Sequence, residues 1–301
     1  PPQKISVDNN PLVRTLVKKD MLLHSENLDM ITIRKGQVSF LPYAGTNHLI
    51  SGAVVNKLSL NILAGYSYGV DGIELGGLVN INRKYVKGVQ LAGISNLTGE
   101  KMKGLQLAGF TNNNLGKVHG VQIAGFGNTV FDSIKGVQIA GFSNTIKGSM
   151  KGLQLSGFGN IATKDAEAVQ VSGFTNLSMG NCRGEQITGF VNICKGNNEG
   201  VQIAGFSNLT NGHSKGLQLS GFANVCNGNN KGAQITGFSN VSKGCTEGLQ
   251  LSGFANYADT VKGVQLGFIN VADTVSGLSI GFASYVRKGY RSIGIRYDEM
   301  T

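Results

Sequence analysis

A 16-residue phrase repeats without insertion over 11 steps. It carries glycine at two fixed phases and a strict apolar–polar alternation between them. Together these features predict an all-β chain, a parallel β-solenoid (β-helix) of about 14 coils with an N-terminal cap. The phrase is Gly88-Val-Gln-Leu-Ala-Gly-Ile-Ser-Asn96. It recurs from Gly72 to Gly248 every 16 residues, and shortened steps then place copies at Gly263 and Gly277. Surface loops tolerate changes in length, so an insertion-free period means that each unit stacks on the next.

Residues 1–35 read as a lead-in or linker, with a short helix around Leu12–Leu23. Residues 36–71 read as a cap or degenerate first coils, because repeat arrays need atypical ends. Residues 72–286 form the array, and 287–301 an end strand or cap around Ile293-Gly294-Ile295. The opening Pro1-Pro2 suggests a mature or trimmed product, and Met300-Thr301 offers no terminal element, so further chain is expected to follow.

Within a unit, counted from its first glycine as zero, Val/Leu at one and Leu/Ile at three alternate with Gln at two and Ala/Ser/Thr at four. Alternation gives a strand with one apolar face, and that face is expected inside. The Gln column (Gln90, Gln106, Gln122, Gln138 and onward to Gln265) is then an outward amide ladder, with a ligand-binding face as the competing reading. The parity breaks at the glycine of position five, where a bend is expected because glycine accepts positive φ. The Phe column at six (Phe110, Phe126, Phe142, Phe158 and onward to Phe254) and the apolar residues at nine are also expected inside. Asparagine at eight (Asn96, Asn112, Asn128, Asn144 and their counterparts) is expected to form an amide ladder, as in cross-β stacks. The strand spacing of about 4.8 Å makes 14 coils roughly 65 Å long.

Composition narrows the function classes. The 301 residues include 45 Gly and 4 Pro, and 27 of the glycines fill the two repeat phases. There is no Gly-X-Y period, which excludes collagen. No apolar run reaches the roughly 18 residues of a transmembrane helix. The net charge of +10 is spread along the chain, so a nucleic-acid patch is not expected. An antiparallel barrel competes with the solenoid, but there is no Trp, and the Phe stays at one phase.

The residue before the unit glycine is Lys87, Lys103, His119, Lys135 and Lys151 in the first half, and mostly alternates in sign afterwards. The first run is a candidate stripe for an anionic glycan or phosphate polymer, against the plainer reading of a solvated edge. His24, His48, His119 and His213 lack metal spacing. The sequons at Asn96, Asn176, Asn208 and Asn240 coincide with the ladder asparagine. Carboxylates are too scattered for a glycan-cleaving pair, and no cofactor motif appears. The four cysteines, without a CxxC pair, are expected as free thiols in or near the core.

Gly152-Leu-Gln-Leu-Ser-Gly-Phe-Gly-Asn160 and Gly263-Val-Gln-Leu-Gly-Phe-Ile-Asn270 resemble the GLQIGLxN-type units of bacterial surface-repeat proteins of leptospires and Bacteroidota. Residues 38–47 through 75–80 look like the Bacteroidota version. There such arrays often follow a secretin/TonB short N-terminal or carboxypeptidase-regulatory-like domain. The resemblance covers about residues 36–286. It implies export to the envelope, outer membrane or surface of a Gram-negative cell, and it carries over no catalytic residues. The expectation is a non-enzymatic scaffold or binding surface for an envelope protein, a surface glycan or lipopolysaccharide. The alternatives are an integral outer-membrane component and a glycan-active β-helix enzyme.

Overall fold

The computed structural model describes residues 6–27 and 30–288. It is a parallel β-solenoid of about 14 turns with a 16-residue repeat and a few helices at the N-terminus. Its coil strands pair in parallel, and among the described residues only the two-residue strand Ala44–Gly45 pairs antiparallel, with Thr32–Leu41, so an antiparallel barrel is not the fold. The chain divides into two compact units, residues 1–157 and 158–301.

Both units build coils in the same way. In the second, a long side runs Asn198–Ala204 and turns at Gly205 and Phe206 into a short side, Ser207–Thr210. Asn211, Gly212 and His213 then lead to the next long side, Ser214–Ser220. Equal phases pair directly, as Gln202 with Gln218 and Asn208 with Asn224. The first unit repeats this with Gln122 on Gln138 and Asn112 on Asn128.

Alternation holds, but its inside and outside are the reverse of the expectation. Glutamines at two and asparagines at eight are buried, with Ala, Ser or Thr beside them at four. Val and Leu at one and three point outward and are half-buried or exposed, and residues at nine are mostly half-buried. Phe110, Phe126 and Phe142 are 42–51% exposed. The rings stack on the outside of the corner, with centroids 4.8–5.0 Å apart.

The reason is hydrogen-bond supply. A buried amide without partners costs about 1–3 kcal/mol, but a stack supplies a partner from each neighbouring coil. Each Gln Nε2 donates to the Oε1 of the preceding coil, as Gln106 to Gln90 at 2.6 Å and Gln218 to Gln202 at 2.8 Å. Each Asn Nδ2 donates to the Oδ1 of the following coil, as Asn96 to Asn112 at 2.8 Å and Asn208 to Asn224 at 2.9 Å. The second amide hydrogen reaches a backbone carbonyl, as Asn112 to Ile123 and Asn208 to Leu219. The two ladders therefore run in opposite directions through a narrow polar core.

Glycine serves two purposes, and not at the expected phase. Positive φ occurs at position zero, for example +128° at Gly104 and +126° at Gly216. Position five has ordinary φ; there a Cβ on Gly109 would lie 2.0 Å from the carbonyl oxygen of Gly93. That glycine permits close approach between coils rather than a left-handed bend.

At the N-terminus the expected single helix is two, α1 (Pro11–Leu16) and α2 (Lys19–Asn27). Asn10 caps α1 by accepting the Leu12 N–H, and Pro11 fits the first helical position. Val7, Val13, Val17 and Met21 pack against Ala64, Tyr66, Val79, Ile81 and Leu97. Beside them Arg83 pairs with buried Asp8 at 2.9 Å, and the Tyr66 hydroxyl donates to Asp8. Burial and the Asp8 charge push the Tyr66 phenol far above its ordinary range. Coils begin before residue 72: Thr32–Leu41 pairs in parallel with Val54–Asn61, setting Gln37 on Ser59 and Ser59 on Glu74. The end strand expected around Ile293 lies outside the described residues.

The cysteine expectation holds for only two of four. Cys182 and Cys194 form a disulfide, while Cys226 and Cys245 are free thiols. Cys182 begins a long side and Cys194 ends the following short side, so their inward side chains meet across one coil.

Candidate anion-binding edge

The stripe lies at position 15, one residue before the positive-φ glycine, where the chain enters the long side. Parallel register puts Lys87 beside Lys103, Lys103 beside His119, His119 beside Lys135, and Lys135 beside Lys151. All five are exposed. Their backbones stand about 4.8 Å apart by the strand spacing. Strand alternation sends them outward because the residue before each, Val86 through Met150, fills the core.

Lys87 has a counterion, Asp71 at 3.5 Å. Asp71 also accepts from Lys57, and that bond is the main reason its carboxyl lies below the usual carboxylate range. Further along, Lys103, His119 and Lys135 make no ion pair among the described residues. Two more lysines join the edge. Lys101 and Lys117 occupy position 13 of successive coils and pair in register. Reading the charge at one phase missed them, although the same period locates them. From residue 87 to 151 the count is seven lysines against Glu100 and Asp132. Like charges opposite one another on neighbouring strands are destabilising, so this edge is a set of cations held at fixed spacing by a rigid backbone.

The Gln, Phe and Asn columns are not part of this edge. Gln90, Gln106, Gln122 and Gln138 are in the core, which removes the reading of a glutamine ligand face. Asn96, Asn112, Asn128 and Asn144 are buried on the short side, and Phe110, Phe126, Phe142 and Phe158 line the opposite corner.

Sequence reading also missed a buried carboxylate at the head of the glutamine ladder. Glu74 accepts from Gln90 at 2.8 Å, Asn82 at 2.5 Å and Asn61 at 3.0 Å. Gln90 needs an acceptor on the preceding coil, and the carboxylate supplies one. Burial raises the Glu74 carboxyl above its ordinary range despite these donors.

Grooves offer less chemistry. One of about 420 Å³ in the first unit is lined by Leu60, Ile62, Leu75, Leu91 and glycines. One of about 330 Å³ in the second contains His213, Glu199 and Glu247. Its carboxylates are engaged, Glu199 with Arg183 at 3.3 Å and Glu247 with Lys231 at 3.7 Å. The His213 Nδ1 accepts the Asn229 N–H within an exposed corner ladder. No group of three or more metal-ligating side chains exists among the described residues, and no helix there is long and apolar enough to cross a membrane.

No family model, no curated protein and no solved structure matches this chain.

Proposed function

We propose that the protein is a non-enzymatic scaffold of a Gram-negative cell envelope, whose basic edge holds an anionic glycan such as the acidic part of a lipopolysaccharide. The observation that carries this reading is the in-register column Lys103, His119 and Lys135, with Lys101 and Lys117 alongside, whose three members make no ion pair among the described residues. A linear polyanion laid along the column would relieve its self-repulsion, and rigid spacing lowers the entropic cost of binding. The absence of enzymatic chemistry is likewise a proposal, supported by carboxylates that are ion-paired at Glu199 and Glu247 and buried among amide donors at Glu74. The envelope location rests on the repeat resemblance.

The test is binding to an anionic glycan array and to lipopolysaccharide, with Lys87, Lys103, Lys135 and Lys151 changed to Ala. Loss of binding is expected, and unchanged binding rejects the edge as the site. Turnover of a bound glycan would instead favour a glycan-active enzyme.

A further inference from the structure

The outer corner of the second unit carries more apolar surface than its own stack covers. Phe174, Phe190, Phe206, Phe222, Phe238, Phe254, Phe268 and Phe282 are each 40–60% exposed. Ring centroids from Phe174 to Phe254 step by 4.9–5.1 Å, with planes within 15° of parallel. Leu219, Leu251 and Ile280 at position three are also exposed beside them. At about 200 Å² per phenylalanine side chain, the eight rings alone leave about 700 Å² of apolar surface in water. Monomers expose contiguous apolar patches of only a few hundred Å², and a standard interface takes about 800 Å² from each partner. With the position-three column added, the face reaches that size.

We propose that this face docks a second copy of the chain through a twofold, self-complementary interface. Three observations select that occupant. First, the surface is periodic: a partner that seats side chains between successive rings over many coils must repeat at the same strand spacing, and this chain does. Two such faces can pack as paired sheets about 10 Å apart. Second, the charges suit a protein partner. Residues 158–288 hold nine Lys/Arg against seven Asp/Glu, and Arg183–Glu199, Lys231–Glu247 and Lys262–Glu247 are paired. A nearly neutral edge does not repel its own copy and draws little on an anionic bilayer. Third, exposed Glu185 stands in the position-one column, paired in register with Val169 and Val201. It can remain hydrated at the rim of a protein interface, whereas insertion into lipid would strip its water.

Sedimentation of the full chain over a hundredfold concentration range tests the proposal. Wild type should pass from monomer to dimer. A Phe206→Asp, Phe222→Asp double variant should remain monomeric with an unchanged far-ultraviolet circular dichroism spectrum. Phe110→Asp, Phe126→Asp in the first unit should leave the dimer intact. Hydroxyl-radical footprinting of wild type covers the case of a misfolded variant, because labelling of Phe190–Phe254 should drop at least threefold as the dimer forms. A wild type that stays monomeric, a Phe206/Phe222 variant that still dimerises, equal dissociation by the first-unit variant, or unchanged ring labelling would each overturn the proposal. So would a monomer that cosediments with phosphatidylcholine vesicles through the same rings.

Discussion

The edge columns of residues 87–151 and 167–262 occupy the same phase of the same repeat, yet differ in electrical character. In the first, Lys103, His119 and Lys135 follow one another without an acid between them. In the second, Arg183 meets Glu199, and Glu247 lies between Lys231 and Lys262. Over the 16-residue steps of both columns the backbone register is the same, so stacking does not dictate the charge. The core positions carry the fold, and the outward positions are free to carry a partner's requirements. A column compensated by its neighbours needs no further partner; on the function proposed above, the stretch Lys103–Lys135 is where an anionic partner would lie.

If the two regions share one scaffold, scaffold substitutions should damage both alike. Gly120→Val and Gly216→Val put a side chain at φ +146° and +126°, 1.9 and 2.1 Å from the preceding coil's carbonyl oxygen. Each should cost about 4 kcal/mol or more, read as loss of the cooperative denaturation transition of its own unit. A unit that tolerates the change would break the equivalence.

Gln106→Leu and Gln218→Leu come next, at about 2–4 kcal/mol each, because they strand the amide partners on both neighbouring coils. Urea midpoints of the two variants should fall together. An outward glutamine would have given almost no change.

Charge substitutions should separate the regions. Lys103→Glu should stabilise the first unit and Glu247→Lys should destabilise the second, each by about 0.5–1 kcal/mol at low salt. Both effects should shrink in 1 M salt, where screening acts within about 3 Å. Equal signs in the two units would contradict the distinction between the columns.

The last contrast is a pH slope. The first unit buries the carboxylate Glu74 without a cationic partner, and the second buries no carboxylate among the described residues. The folded carboxyl is raised, so its contribution is fully present below the ordinary carboxylate range. It is lost as pH rises through the folded value, because the unfolded chain has already released its proton. Relative to Glu74→Gln, wild-type stability should therefore decline from about pH 4 toward neutrality, as measured by urea midpoints at several pH values. A flat difference would mean that the carboxyl titrates normally.

The coil was legible because its period is a property of sequence alone: Gly88, Gln90, Gly93 and Asn96 recur at one phase. Orientation was not. Alternation states that Gln90 and Leu91 face opposite ways, but it does not state which way is in, and the usual preference for apolar interiors pointed wrongly. Only a stack that gives Gln106 an acceptor on Gln90 and a donor from Gln122 makes the polar choice affordable. The Cys182–Cys194 bond was hidden for a related reason, since a 12-residue separation meets across one coil only when both corners are placed. The lysine stripe was visible by phase, whereas Lys101 and Lys117 required the neighbouring phase to be read as part of the same edge.

Most direct is the affinity of heparin, used as a model acidic polysaccharide, for wild type and for a Lys103→Glu, Lys135→Glu variant across a range of salt concentrations. Wild type should bind with an affinity that falls steeply as salt rises, and the variant should bind at least tenfold more weakly with a shallower salt dependence while denaturing at an equal or higher urea concentration. Equal affinity and equal salt dependence in the two proteins would contradict the assignment of binding to the uncompensated column.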